Sequence, residues 1–274
     1  MTVLICPVCG SPLKKGERAC FCENHHTFDL SAGGYVHLLP AGQMKSKIPG
    51  DNKEMVTARS MFLNDGFYAP LADKLSTLFL SYAKDTIAWL DAGCGEGYYT
   101  QKIVSALEET CSRVTAVGVD ISKFAIARAS KRTKAVQFVV GSVYHLPVAD
   151  NTMDMVLNVF SPLCVGEYWR VLKPGGLYFY VVPGKRHLWQ MKEVLYETPY
   201  ENARMECQYD GFVNEGVHSL SYTAALQNSS QLQAMFTMTP YFWKTSRKGA
   251  DRLREKGHLT TEIAFDIHVL RKSD

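Results

Sequence analysis

The sequence predicts an α/β protein, a Rossmann-like doubly wound sheet preceded by a small zinc-binding module. Three observations predict it. An apolar run at 86–90 (TIAWL) leads into a glycine-rich turn, Asp91-Ala92-Gly93-Cys94-Gly95-Glu96-Gly97, and then into YYTQKIVSALEE, where Ile103 and Leu107 are one helical turn apart. A second apolar run, VTAVGVD, ends on Asp120, 23 residues beyond Gly97. Cys6, Cys9, Cys20 and Cys22 crowd into the first 22 residues, whereas Cys94, Cys111, Cys164 and Cys207 stand alone.

Composition sets the frame. With 274 residues, 46% hydrophobic and 21% charged, the chain suits one large domain plus a small one and has ample material for a core. It has no apolar run of about 18 residues, so no membrane-spanning segment is expected. The start, MTVLICPVCG, lacks the basic-then-apolar pattern of a secretory signal, and a local cysteine cluster suits a reducing, cytoplasmic setting. Thirty basic and 27 acidic residues give a net charge of +3, which neither demands nor excludes a nucleic-acid partner.

Residues 1–38 form the expected zinc module. Cys6, Cys9, Cys22 and His26 read C-x2-C-x12-C-x3-H. Two tight turns of this kind bring three sulfurs and a nitrogen into a tetrahedron, the geometry and donor softness Zn²⁺ favours. A segment this short cannot bury its own core, so the metal supplies folding energy. Cys20 and His25 are alternative ligands; the wider bite of C-x3-H favours Cys22 and His26. A chance cluster of reduced thiols is the bland alternative.

Residues 39–84 link the module to the sheet and include a helix over 70–82, with Leu71, Leu75, Leu78 and Tyr82 on one face. Residues 85–274 form the α/β domain. After the strands at 86–90 and 114–120 come apolar runs at 136–140, 154–159 and 177–182. TEIAFDIHVLRK at 261–272 alternates like a final antiparallel strand. The glycines allow backbone to approach a ligand closely. Asp120 ends the second strand, where a carboxylate can accept from both ribose hydroxyls of a nucleoside. The turn is D-x-G-C-G-x-G and not G-x-G-x-x-G; its leading acid, Asp91, would repel a pyrophosphate but suits a cation.

On these residues the chain resembles the class I S-adenosylmethionine-dependent methyltransferases, whose cofactor carries a sulfonium and an amino group. VLKPGG at 171–176, a turn into the strand LYFYVV, fits that class too. The wider set, C-x2-C-x12-C-x3-H, FDLSAGGYVHLLP at 28–40, PGD at 49–51, DAGCGEGYYT at 91–100 and PGKRHL at 183–188, resembles the RlmA family. That resemblance implies methylation at N1 of a guanine in a hairpin loop of bacterial 23S rRNA. The family has two branches acting on neighbouring guanines, one bearing on macrolide sensitivity. It implies zinc on Cys6, Cys9, Cys22 and His26, and cofactor contacts from Tyr68, Tyr99, Thr100 and His187 besides Asp91, Gly93, Gly95, Gly97 and Asp120. For Tyr68 and His187 plain packing is the competing reading.

Base recognition is expected after the fourth strand of the sheet, where Phe160 would stack and Asn158, a weak catalytic candidate, would hydrogen-bond a base edge. RNA contacts are sought in Lys45 and Lys47, in the basic run 123–134 (Lys123, Arg128, Lys131, Arg132, Lys134) and in 244–256. Each such run is more often a solvated face, which makes the rigid zinc module the better RNA-binding candidate. A homodimer would suit an RNA cleft built from two modules.

Overall fold

The computed structural model describes residues 3–44 and 49–273, so Lys45 and Lys47 lie outside the described residues. At its start, β1 (Lys14–Lys15), β2 (Ala19–Phe21) and β3 (Thr27–Asp29) form a three-stranded antiparallel sheet. Strands this short have no independent core. They lean on the main domain instead: Leu4, Leu13 and Cys20 share a buried cluster with Val139, Val143 and Val148. Ile5 N–H donates to the Pro147 carbonyl at 3.0 Å. Next, β4 (Val36–His37) pairs in parallel with β7 (Val136–Val140). The division expected at residue 38 thus leaves a strand of the large sheet on the module's side.

Two helices follow. In α1 (Lys53–Asn64) the Asn52 side chain caps the N-terminus by accepting from Met55 N–H. In α2 (Ala69–Tyr82), Leu71, Ala72, Leu75, Leu78 and Phe79 are buried, while Tyr82 is half-buried at the helix end.

The sheet is then built by β5 (Thr86–Ala92), α3 (Tyr98–Glu108), β6 (Arg113–Asp120), α4 (Lys123–Arg132), β7, β8 (Met153–Val159), α5 (Val165–Val171), β9 (Leu172–Pro183) and α6 (Trp189–Leu195). Beyond them lie β10 (Phe212–Leu226), α7 (Ser229–Met238), α8 (Tyr241–Lys244), α9 (Arg247–Glu255) and β11 (Leu259–Lys272). The eight strands run β10-β11-β9-β8-β5-β6-β7-β4. Six are parallel; β10 and β11 are antiparallel to their neighbours. Chain order diverges on either side of β5, so the crevice opens at the carboxyl ends of β5 and β8.

The expected last strand is β11, but it does not sit at an edge. It lies between β9 and β10, and most of its residues on both faces are buried. The outer edge belongs to β10, whose alternating burial marks one solvated face. No helix among the described residues is long and apolar enough to cross a membrane.

Candidate active site and metal centre

The glycine turn after β5 is shaped by its backbone. Gly93, Gly95 and Gly97 have φ of +90°, +54° and +78°. A Cβ on Gly93 would lie 2.2 Å from Ser161 Cβ, so the turn and the segment after β8 interlock. A Cβ on Gly95 would meet nothing within 4 Å. Asp120 fastens this turn: its Oδ2 accepts from Gly95 N–H at 2.9 Å and its Oδ1 from Ser122 N–H at 2.8 Å. Each oxygen keeps a further lone pair for a ribose hydroxyl. Burial raises the Asp120 pKa, and those two hydrogen bonds oppose the rise.

Asp91 is 1% exposed. Its Oδ2 accepts from Thr100 Oγ1 at 2.6 Å, while its Oδ1 is buried without a partner among the described residues. Burial pushes its pKa up to about 7, with the Thr100 hydrogen bond opposing and the Asp120 charge adding to the rise. An unpaired buried carboxylate oxygen is costly. The amino group of S-adenosylmethionine would supply the missing donors, so this donor set fits the cofactor.

Tyr68 and His187 meet although 119 positions separate them: Tyr68 Oη and His187 Nε2 are 3.2 Å apart. His187 Nδ1 accepts from Ala264 N–H at 3.3 Å, so its proton sits on Nε2 and is donated to Tyr68 Oη. Burial holds His187 neutral, its pKa down to about 3. The Tyr68 hydroxyl proton then remains available, there being no other partner for Oη among the described residues. Tyr68 is fixed edge-on between Phe62 and Phe265, at 4.9 and 5.0 Å between ring centroids.

Phe160 is 41% exposed and has φ +57°, a left-handed conformation that a bulky residue adopts at a cost. It follows β8 and lies 5.4 Å from the Phe265 ring. Asn158 requires a correction. It is fully buried; Nδ2 donates to the Pro162 carbonyl and Tyr168 Oη, and Oδ1 accepts from Ser161 N–H. With its amide groups engaged by Ser161, Pro162 and Tyr168 of α5, it shapes the segment carrying Phe160 and has no exposed group for a base edge.

The metal ligands converge. One donor atom from each of Cys6, Cys9, Cys22 and His26 lies within 4.8 Å of all the others. Adjacent separations of 3.7 Å (Cys9–Cys22 sulfurs) and 3.4 Å (Cys22 Sγ–His26 Nδ1) suit a tetrahedron with arms of about 2.0–2.3 Å. Asn24 and Ser11 draw the Cys9 thiol down to about 5, towards the thiolate a metal requires. Cys20 is buried in β2, and His25 is exposed in a left-handed turn conformation; neither joins the group.

Much of the basic run 123–134 is consumed inside the fold. Arg128 donates to Thr57, Arg132 pairs with buried Glu96, and Lys134 donates to the Gly33 and Ser130 carbonyls. Likewise Arg252 donates to the Val194 and Leu195 carbonyls, whereas Arg254 pairs with Asp251 on the exposed surface. Residues that local spacing did not single out also build the site. Ser161 donates to the Ala92 carbonyl, and Ser122 Oγ donates to the Asp51 carbonyl. PGD at 49–51 was the available signal: a Cβ on Gly50 would lie 2.6 Å from Ile121, so only glycine lets this segment close over the end of β6.

The sequence profile described as "RlmA, N-terminal" matches residues 4–47, and one described as "Methyltransferase domain" matches residues 83–236. A Bacillus subtilis (strain 168) protein named "Putative 23S rRNA (guanine-N(1)-)-methyltransferase YxjB" is 30% identical over 97% of this chain and 95% of its own length. The 23S rRNA (guanine(748)-N(1))-methyltransferase of Streptomyces fradiae is 34% identical over 70% of this chain and 67% of its own. The chain belongs to the RlmA family. It is therefore an S-adenosylmethionine-dependent methyltransferase with a zinc ribbon in front. A chain of a structure described as "Complex between the Haloferax volcanii Trm112 methyltransferase activator and the putative methyltransferase" matches with a TM-score of 0.51 at 18% identity. It covers 82% of this RlmA-family chain and 100% of its own length, which shows the shared fold.

Proposed function

We propose that this protein transfers a methyl group from S-adenosylmethionine to N1 of a guanine in a hairpin loop of 23S rRNA, in the bacterial cytoplasm. The observation that carries the proposal is the pairing of a cationic-cofactor cleft, in which Asp91 Oδ1 has no donor among the described residues, and an exposed, strained Phe160 at its rim. The chain-long likeness to proteins named as 23S rRNA guanine-N1 methyltransferases supports this substrate.

When bound, S-adenosylmethionine supplies an electrophilic methyl group. That methyl would pass to guanine N1 as its bond to sulfur breaks, leaving S-adenosylhomocysteine, and the N1 proton would go to solvent or a nearby acceptor. The protein's part is alignment. Asp120 would hold the ribose and Asp91, fixed by Thr100, the methionyl amine, with Tyr68, Tyr99, Thr100 and His187 around the methionine end. Gly93, Gly95 and Gly97 give backbone access, and Phe160 stacks on the unpaired base. Residues 1–38 serve as the RNA-recognition module, 39–84 as the linker and 85–274 as the methyltransferase domain. Two copies would present two such modules to one hairpin.

Primer extension across 23S rRNA from cells with and without the gene tests the reaction, because methylation at N1 blocks Watson–Crick pairing. A stop present only with the gene is expected; identical traces would defeat the proposal. Phe160→Ala should leave cofactor affinity unchanged and lower turnover on an RNA hairpin about 10-fold or more, as loss of base stacking implies. Sedimentation with and without RNA reads the dimer.

A further inference from the structure

Arg59 projects from α1 and is engaged by no step above. Its Nη2 pairs with Asp51 Oδ2 at 2.7 Å, yet its Nε is buried without a partner among the described residues. A continuous chain of contacts ties it to the cofactor site. Asp120 Oδ1 accepts from Ser122 N–H, Ser122 Oγ donates to the Asp51 carbonyl at 2.6 Å, and the Asp51 carboxylate holds Arg59.

The same region holds a second unsatisfied donor. Tyr99 Oη, in the first turn of α3, is buried without a partner among the described residues. The Tyr68 hydroxyl has a proton left to give, as shown above. Burial raises both phenols, and the Arg59 charge opposes the rise in each, as it does at Asp120. The Asp51 pair and the Ser122 link place that guanidinium at the Asp120 side of the site.

The unsatisfied atoms form a pattern. Asp91 Oδ1 needs a donor; Arg59 Nε and Tyr99 Oη need an acceptor. The amino-acid end of the cofactor offers both, an ammonium and a carboxylate. Asp51, Asp91 and Asp120 would make entry of a carboxylate repulsive without a cation beside them. Arg132 also has a buried Nε without a partner among the described residues, but its Nη2 already serves both Asn64 and buried Glu96 and its guanidinium lies over the Tyr98 ring. We infer that the Arg59 guanidinium, braced by Asp51, is the counter-ion for the methionyl carboxylate, with the Tyr99 hydroxyl as a second donor. The inference rests on the cofactor reading of the cleft.

Isothermal titration with two ligands tests it. S-adenosylhomocysteine has the amino-acid tail; 5′-methylthioadenosine keeps the nucleoside and sulfur but lacks that tail. Arg59→Gln should weaken S-adenosylhomocysteine about 10- to 100-fold, as loss of a charge-assisted contact implies, and leave 5′-methylthioadenosine within about 2-fold. Arg59→Lys keeps the charge without the fork and should lose less on the first ligand and nothing on the second, which serves if the Gln variant does not fold. Equal losses on both ligands would make Arg59 a brace for residues 49–51 and overturn the inference, as would no loss on either. A wild-type protein that binds neither ligand would overturn the cofactor reading itself, and this inference with it.

Discussion

Asp91 and Phe160 each carry a local cost that a ligand can offset. For Asp91 the cost is electrostatic: a buried carboxyl with one oxygen unpaired, its pKa raised to about 7 from an ordinary 3.8. Because the folded-state value is the higher one, its contribution to the free protein's stability is full below about 4 and is lost as pH rises through about 7. The cofactor's ammonium prefers the ionised form, so binding has the opposite slope. Affinity for S-adenosylmethionine should fall as pH drops below about 7, approaching 10-fold per unit for one linked proton, and calorimetry between pH 5.5 and 8 reads it. A flat profile would mean that Asp91 does not meet the ammonium. His187, held neutral by burial, should add no step to that profile. At Phe160 the cost is in the backbone, and Asn158 maintains it by engaging its amide groups with Ser161, Pro162 and Tyr168.

Single elements depend on the partners they find. The strands β1, β2 and β3 have two or three residues each, too few to persist without cross-bracing. The four metal ligands come from the turns around them, so zinc is the brace. Chelation or Cys22→Ser should release one zinc per chain and make the buried Cys6 and Cys20 reactive towards a thiol reagent. The free energy involved is on the order of 10 kcal/mol for structural zinc in units this small. Loss of zinc without greater thiol exposure would contradict that dependence. The first crossover, β5-turn-α3, was legible because each part is local: an apolar run, glycines at fixed offsets, then a 3.6-residue period. The solvated edge strand β10 was not. Its alternation in FVNEGVHSLSYTAAL is broken by Gly216 and its serines, and its identity as a strand comes from pairing with β11.

At the scale of the whole molecule, zinc module and sheet share one core. Val36 and Leu38 are buried at 0% and 2% exposure, Val36 lies on β4 against β7, and Leu4 bridges to Val148. A fragment starting at residue 39 loses these three side chains, roughly 5–9 kcal/mol of burial at about 1.5–3 kcal/mol each. That rivals the entire stability of about 5–15 kcal/mol expected of a domain. Such a fragment should melt far below the full chain or aggregate, as thermal denaturation and size-exclusion chromatography would show; an unchanged melting temperature would mean that the two units are energetically separate. The sequence by itself determined the presence of a metal site in the first 26 residues, the glycine turn and the acids at the ends of β5 and β6, because each is signalled by residues a few positions apart on one turn or strand; the structure chose Cys22 and His26 over Cys20 and His25. Only the tertiary structure decided that β4 joins the large sheet, that β11 is interior, that most of the basic run is spent on internal contacts and that Arg59 is tied through Asp51 and Ser122 to Asp120. Those outcomes depend on groups far apart in the chain, such as Ser122 and Asp51, 71 positions apart, and spacing carries no information about which distant surfaces pack together.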